Sequence, residues 1–174
     1  MASQKFHSSW GLSVWMMSIL GTLLLLSLSV YLLVTSYTAL SANPIVSAIN
    51  LIAAIFCIFI LIIAALFAPR YYTINQDNIT VHRLGPNIHI PWSNECLIKK
   101  IESSDIKNMM RIFACGGLFG FMGIFRSRNF GYYRVYANNF KHPCFITTAT
   151  HKFLLCPDNR DDFINAVTAN QPSP

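Results

Sequence analysis

His142 and Cys144, two residues apart across Pro143, are the pair in this 174-residue chain that most resembles catalytic equipment. A thiol beside an imidazole is the core of a cysteine hydrolase, provided the side chains meet and a third group orients the ring. Strand alternation in this region does not by itself bring them together. His82, His89 and His151 have no partner at a catalytic spacing. The chain contains no His-Glu-x-x-His, Gly-x-Ser-x-Gly or phosphate-loop motif. Cys57 lies in an apolar run, and Cys96, Cys115, Cys144 and Cys156 show neither a C-x-x-C pair nor zinc spacing. The residues argue for a non-enzyme with no cofactor and no metal; a hydrolase around His142 and Cys144 is the weakest of three functional readings.

Cations and aromatics offer a different chemistry. Gly116, Gly117, Gly120, Gly123 and Gly131 interleave with Phe119, Phe121, Phe125 and Phe130. Two readings of this stretch stay open. The glycines permit positive φ or close backbone approach in a bent, buried strand pair. Alternatively, the aromatics, with Phe119 and Phe121 as contact residues, form an exposed loop that dips into a membrane interface or a partner's groove. Arg126, Arg128, Arg134 and Lys141 follow and suit anionic headgroups. Lys99 and Lys100, with Lys107 and Arg111, form a second basic group.

These residues must be positioned by elements, and charge divides the elements sharply. Residues 8–69 contain no Asp, Glu, Lys, Arg or His. A helix satisfies its own backbone and can cross hydrocarbon, and about 20 apolar residues suffice for one crossing. Two spans fit, at about 12–37 and 46–68, joined by a turn at Asn43-Pro44. A cleavable signal peptide competes for the first span, but the apolar run is too long and no small-x-small site closes it. Lys5 precedes the first span, Arg70 follows the second, and the loop between has no cation. The positive-inside rule then gives a two-span protein of the cytoplasmic membrane with both termini in the cytoplasm. Trp10, Trp15, Tyr71 and Tyr72 at one edge, and Tyr37 at the other, agree with that depth. The Asn78-Ile79-Thr80 glycosylation pattern is then cytosolic and silent. Without ionisable groups, the hairpin is an anchor or assembly surface, not a transport path.

Twelve of the 13 Lys and Arg, and all seven carboxylates, follow Pro69, leaving residues 70–174 at net +5 with His neutral. This part is the size of one small domain. Short apolar pieces bounded by turn residues predict strands at 71–75, 79–84, 88–92, 132–137, 144–148 and 151–156, with 97–102 ambiguous between strand and helix. Asn138-Asn139 supplies a turn. From Pro157-Asp158 onward, Asp161 and Asp162 with Phe163, Ile164 and Val167 predict a short C-terminal helix with one apolar face. The domain therefore spans 70–168, followed by a flexible tail at 169–174. Six or seven antiparallel strands and one closing helix give a membrane α-helical hairpin plus an α+β domain, a PH-like open β-barrel.

Several segments carry a family resemblance. Tyr71-Tyr72-Thr73-Ile74 with Ile79-Thr80-Val81 resembles the opening hairpin of bacterial PH-like (pleckstrin-homology-like) domains. Ile90-Pro91-Trp92-Ser93 is similar to their turn into the next strand. Residues 117–123 with Gly131 resemble the glycine–aromatic stretch of one branch, and residues 156–164 the entry to the closing helix. The resemblance covers about 70–167 and implies the fold and two preceding membrane spans, with function left to the site.

The leading functional reading is a membrane-anchored interaction module that binds another membrane protein or itself at the cytoplasmic membrane surface. The second is an anionic-lipid sensor using Arg126, Arg128, Arg134 and Lys141. Specific phosphoinositide recognition is not expected, because the first strand turn, residues 75–78, carries only a negative charge. Nucleic acid is not expected as a partner either, at so modest a charge behind a membrane anchor.

Overall fold

The computed structural model describes residues 4–75, 78–91, 96–102, 104–106 and 109–170. The chain opens on a short strand, β1 (Gln4–His7), and then enters two long helices, α1 (Leu12–Ala39) and α2 (Pro44–Phe67). At about 1.5 Å per residue these extend about 42 and 36 Å. Both are long and apolar enough to cross a membrane. The turn between them is fixed by Asn43, whose side chain accepts from Val46 N at 3.3 Å, and by Pro44 in the first turn of α2. Small polar groups join the helices. Ser36 Oγ donates to Ser47 O at 2.8 Å, Asn50 Nδ2 to Thr35 Oγ1 at 3.3 Å, and Ser29 Oγ to Ala54 O at 3.4 Å. Small residues let the backbones approach, while Leu, Ile and Phe side chains point outward and stay exposed.

The domain is built from two sheets. The first has the order β1-β2-β3-β4, all antiparallel, with β2 (Tyr71–Ile74), β3 (Asn78–His82) and β4 (Ile88–Pro91). The second has six strands. They are β5 (Leu97–Lys100), β6 (Met110–Gly116), β7 (Phe121–Ser127), β8 (Gly131–Ala137), β9 (Cys144–Thr147) and β10 (Lys152–Leu155), in the order β5-β9-β10-β8-β7-β6. Helix α3 (Arg160–Asn170) follows, with Asp161 and Asp162 in its first turn, where carboxylates favour the helix dipole. Tyr72, Ile79, Val81, Ile90, Phe163 and Val167 form a core between the first sheet and α3. Phe125, Tyr133, Val135, Phe145 and Leu154 form a second core in the larger sheet.

The PH-like architecture agrees with the expected fold class, and its details differ. There are ten strands among the described residues, not six or seven, and β10 runs parallel to β8. Residues 97–100 are a strand. Two strands of the larger sheet were not expected: β7 lies within the glycine–aromatic stretch, which concealed its alternation, and β6 runs up to it. The register shifts between Arg111 and Phe113, so a period of two is lost there. At the N-terminus, β1 pairs with β2 from Gln4↔Ile74 to His7↔Tyr71. The helix pair is thus inserted between two neighbouring strands of one sheet. The closing helix continues through Asn170, past the residue where the tail was expected to begin. Trp92 and Ser93 of the expected turn, Lys107, and residues 171–174 of the expected tail lie outside the described residues.

Candidate functional site at the junction of helices and domain

The domain meets the helices through a set of buried polar brackets. The turn after β8 supplies Asn138, which is fully buried, and its Nδ2 donates to both Ser8 O and Pro69 O at 2.8 Å. Ser8 leads into α1 and Pro69 leads out of α2. One side chain therefore holds both connections against the domain. Gly11 N donates to Asn138 O at 3.0 Å, and Asn139 Nδ2 to Ser9 O at 2.8 Å. From the loop before α3, the Asp158 carboxylate accepts from Ser9 N and, at 2.7 Å, from Ser9 Oγ. Below this layer the buried Tyr72 hydroxyl donates to Tyr136 O at 2.6 Å and accepts from Cys156 N at 3.4 Å. Burial pushes its pKa up, so the phenol remains a donor.

Two strand-connecting turns reach further along the helices. The β6–β7 turn, residues 117–120, lies beside α1. Ser18 Oγ accepts from Phe119 N at 2.8 Å and donates to Gly117 O at 3.2 Å. The β3–β4 turn lies at the end of α2, where Gly85 N donates to Leu66 O at 2.8 Å and the Arg83 guanidinium sits 5.0 Å over the Phe67 ring.

The sequence candidates fall in separate places. Phe119 sits at the junction, its ring 6.1 Å from that of Trp10. Phe121 packs inward, 4.6 Å from Phe140. Lys141, two residues beyond Asn139, is exposed near the junction. Arg126 lies toward the far end of β7, its guanidinium 5.2 Å over Tyr132, and Arg128 is in the turn that follows. Arg134 lines a groove of about 320 Å³ with His151 and Lys152. Lys99 and Lys100 are on the opposite edge strand, β5, where Lys100 forms an ion pair with Asp161 at the start of α3. That cation, by hydrogen bond and charge, holds the Asp161 carboxyl below its ordinary range.

The His142–Cys144 pair has a different geometry from a nucleophile and base. Cys144 is fully buried, and its Sγ faces the backbone carbonyl of His142 at 4.0 Å, while His142 is exposed. Burial pushes the Cys144 thiol up to about 12, so at neutral pH it is a thiol rather than a thiolate. His151 stands in the β9–β10 turn, bonded to Thr148 and Thr150, while His82 and His89 lie on the outer face of the first sheet. Thr73 Oγ1 lies 2.8 Å from His82 Nε2, Thr80 Oγ1 lies 3.1 Å from His89 Nδ1, and Tyr71 stacks on His82 at 4.4 Å.

Burial first, then the His89 and Lys5 charges, hold the His82 pKa below 6.5. Below pH 6.5 the unfolded chain therefore binds a proton that the folded chain resists. The stability from neutral His82 is present above pH 6.5 and is lost as pH falls through the lowered folded value. The urea midpoint of the full chain in detergent will fall on acidification through this window, and His82→Gln will make the fall shallower.

Two sheets closed at one end by a C-terminal helix define a PH-like domain. Residues 70–171, more than half of the chain, match the family described as Bacterial PH domain. The chain belongs to that family. No curated protein and no solved structure matches it. The match begins at Arg70, so β1 and both helices lie outside it. The brackets at Asn138 join the two parts, and the sequence showed Asn138-Asn139 only as a turn.

Proposed function

We propose that this chain is a membrane-anchored, non-enzymatic interaction module. The two helices cross the cytoplasmic membrane, both termini face the cytoplasm, and the PH-like domain presents a strand edge to a protein partner at the membrane surface. The observation that carries this reading is β6. It is an edge strand of the six-stranded sheet, and Met110, Ile112 and Phe113 on it are 65%, 49% and 83% exposed. An open edge with apolar side chains is a template for an added strand. The brackets at the junction hold this edge at a fixed height above the helices, which raises its effective concentration for neighbours in the same membrane. The added strand comes from a second copy of the chain or from another membrane protein.

The exposed Phe113 tests this without disturbing the core. Phe113→Asp will lower recovery of the complex from native membranes at least about tenfold, a change of about 1.4 kcal/mol. Tyr132→Asp, at a residue 58% exposed on another strand, will leave recovery unchanged. Equal recovery of all three proteins contradicts the edge as the binding surface. A single tagged species pulling down a differently tagged copy identifies self-association; its absence with a retained complex identifies a different partner.

The dispersed cations favour this reading over charge-dependent lipid sensing. Arg126, Arg128 and Arg134 stand toward one end of the larger sheet, Lys99 and Lys100 on its far edge, and Lys141 at the junction, so no single concave site collects them. The buried, protonated Cys144 likewise favours a binding role over a thiol hydrolase.

A further inference from the structure

We propose that the β6–β7 turn is a third membrane contact: Leu118 and Phe119 insert beside α1 and face the acyl chains of bilayer lipids. This rests on the reading of α1 and α2 as membrane spans. The depth follows from helix register. Ser29 meets Ala54 and Ser36 meets Ser47, so Ser18 lies level with about Ala65, inside the end of α2. Ser18 is also about 9 Å along the axis from Leu12, and Gly21 about 13 Å. The turn bonds to Ser18, and Leu118 Cδ1 would lie 3.0 Å from a Cβ placed on Gly21. The turn therefore descends past the start of α1 and the end of α2 to the level where hydrocarbon begins.

Irregular backbone at that depth is tolerated only where its polar groups find partners. Here they do. Gly117 N donates to Gly120 O at 3.0 Å, Phe119 N donates to Ser18 Oγ, and Ser18 Oγ donates to Gly117 O. A helix hydroxyl thus takes the place of water for the turn. Among the described residues, Phe119 is the one non-glycine with positive φ, at 61°. Its conformation holds the ring across from Trp10, where an apolar groove of about 250 Å³ runs between Trp10, Trp15, Ile19, Thr22, Leu23 and Phe119. The groove continues the outward face of α1, so its occupant is what surrounds that face, a lipid chain. Trp10 and Trp15 suit the boundary with the headgroups. Beside α2, Leu84 of the β3–β4 turn is 53% exposed at the level of Leu66.

The full chain in phosphatidylcholine vesicles tests this with p-benzoylphenylalanine at single positions. Phe119→p-benzoylphenylalanine and Leu118→p-benzoylphenylalanine are expected to yield lipid adducts on illumination. Leu24→p-benzoylphenylalanine, on the outward face of α1, reports on the span itself, and Tyr132→p-benzoylphenylalanine, high on the domain, is expected to yield none. Adducts at Leu24 but at neither turn position overturn the proposal and leave the spans standing. No adduct at Leu24 overturns the spans and the proposal together. Adducts at Tyr132 as strong as those at the turn also overturn it, because the contact is then not depth-specific.

Discussion

Asn138→Ala will lower the stability of the full chain in detergent by about 3 kcal/mol and will loosen the domain from its helices. The side chain is fully buried, and its Nδ2 is shared by the carbonyls of Ser8 and Pro69. Removing it strands two buried acceptors, each worth about 1–3 kcal/mol when left unpaired. A water entering the vacated space offsets part of this. Asn138→Asp keeps the shape but not the donors. An ionised carboxylate would face two carbonyl oxygens, and the protonated form offers one O–H for two acceptors, so its loss will equal or exceed that of alanine. A structural loss anywhere in the domain would lower stability, so the second readout matters. Arg70 follows Pro69 and is exposed, while Arg70 N is tied to His82 O at 2.9 Å. Brief trypsin treatment will cut after Arg70 much faster in the variant than after Arg126 or Arg128, at the other end of the domain. Uniformly faster cutting at all three would mean general unfolding and not a released junction.

Gly123→Ala will be the most damaging single methyl group in the chain. Gly123 is on β7 opposite Ala114, with φ of 126°, where side chains are strained. A Cβ there would lie 2.5 Å from Ala114 Cα and 2.8 Å from Ala114 Cβ, and it would also strike the carbonyl oxygen of Phe113. Backbone cannot yield as a flexible side-chain end can. Strain and overpacking together put the cost at about 4 kcal/mol or more. The clash would separate β6 from β7, so the proposed binding edge and the membrane-directed turn fail together. Thermal unfolding of the full chain will show the loss. A variant within about 1 kcal/mol of the parent would show that the β6–β7 pairing is not as close as described.

The helices were legible because charge is absent over a length that only a membrane or a deep core tolerates, and Asn43-Pro44 marks their turn. The family resemblance from 70 to 167 was legible in Tyr71–Ile74, Ile79–Val81 and the entry to α3, where alternation is intact. What escaped has specific causes. Gln4–His7 is four residues long, and its only inward apolar side chain is Phe6, so nothing local marks it as a strand of a sheet formed 60 residues later. β6 exposes its first four residues on both faces and shifts register at Arg111, so it has no alternation to read. Of the two readings of the glycine–aromatic stretch, the close strand pair agrees with the first, while the membrane contact of the second stands as a proposal. Gly123 sits in a close strand pair, and Phe119 sits in a turn that leaves the domain for α1. The brackets were invisible because Asn138 acts on Ser8 and Pro69, 130 and 69 residues away, through backbone atoms that carry no sequence signature.

The proposed function depends on a double crossing that keeps the start and end of the chain on one side. Epitope tags at both termini, with proteinase digestion of right-side-out and inverted membrane vesicles, measure this directly. Both tags will survive in right-side-out vesicles and both will be lost in inverted ones, and the chain will remain in the membrane through alkaline extraction. Loss of either tag from right-side-out vesicles, or release of the chain by alkali, contradicts it.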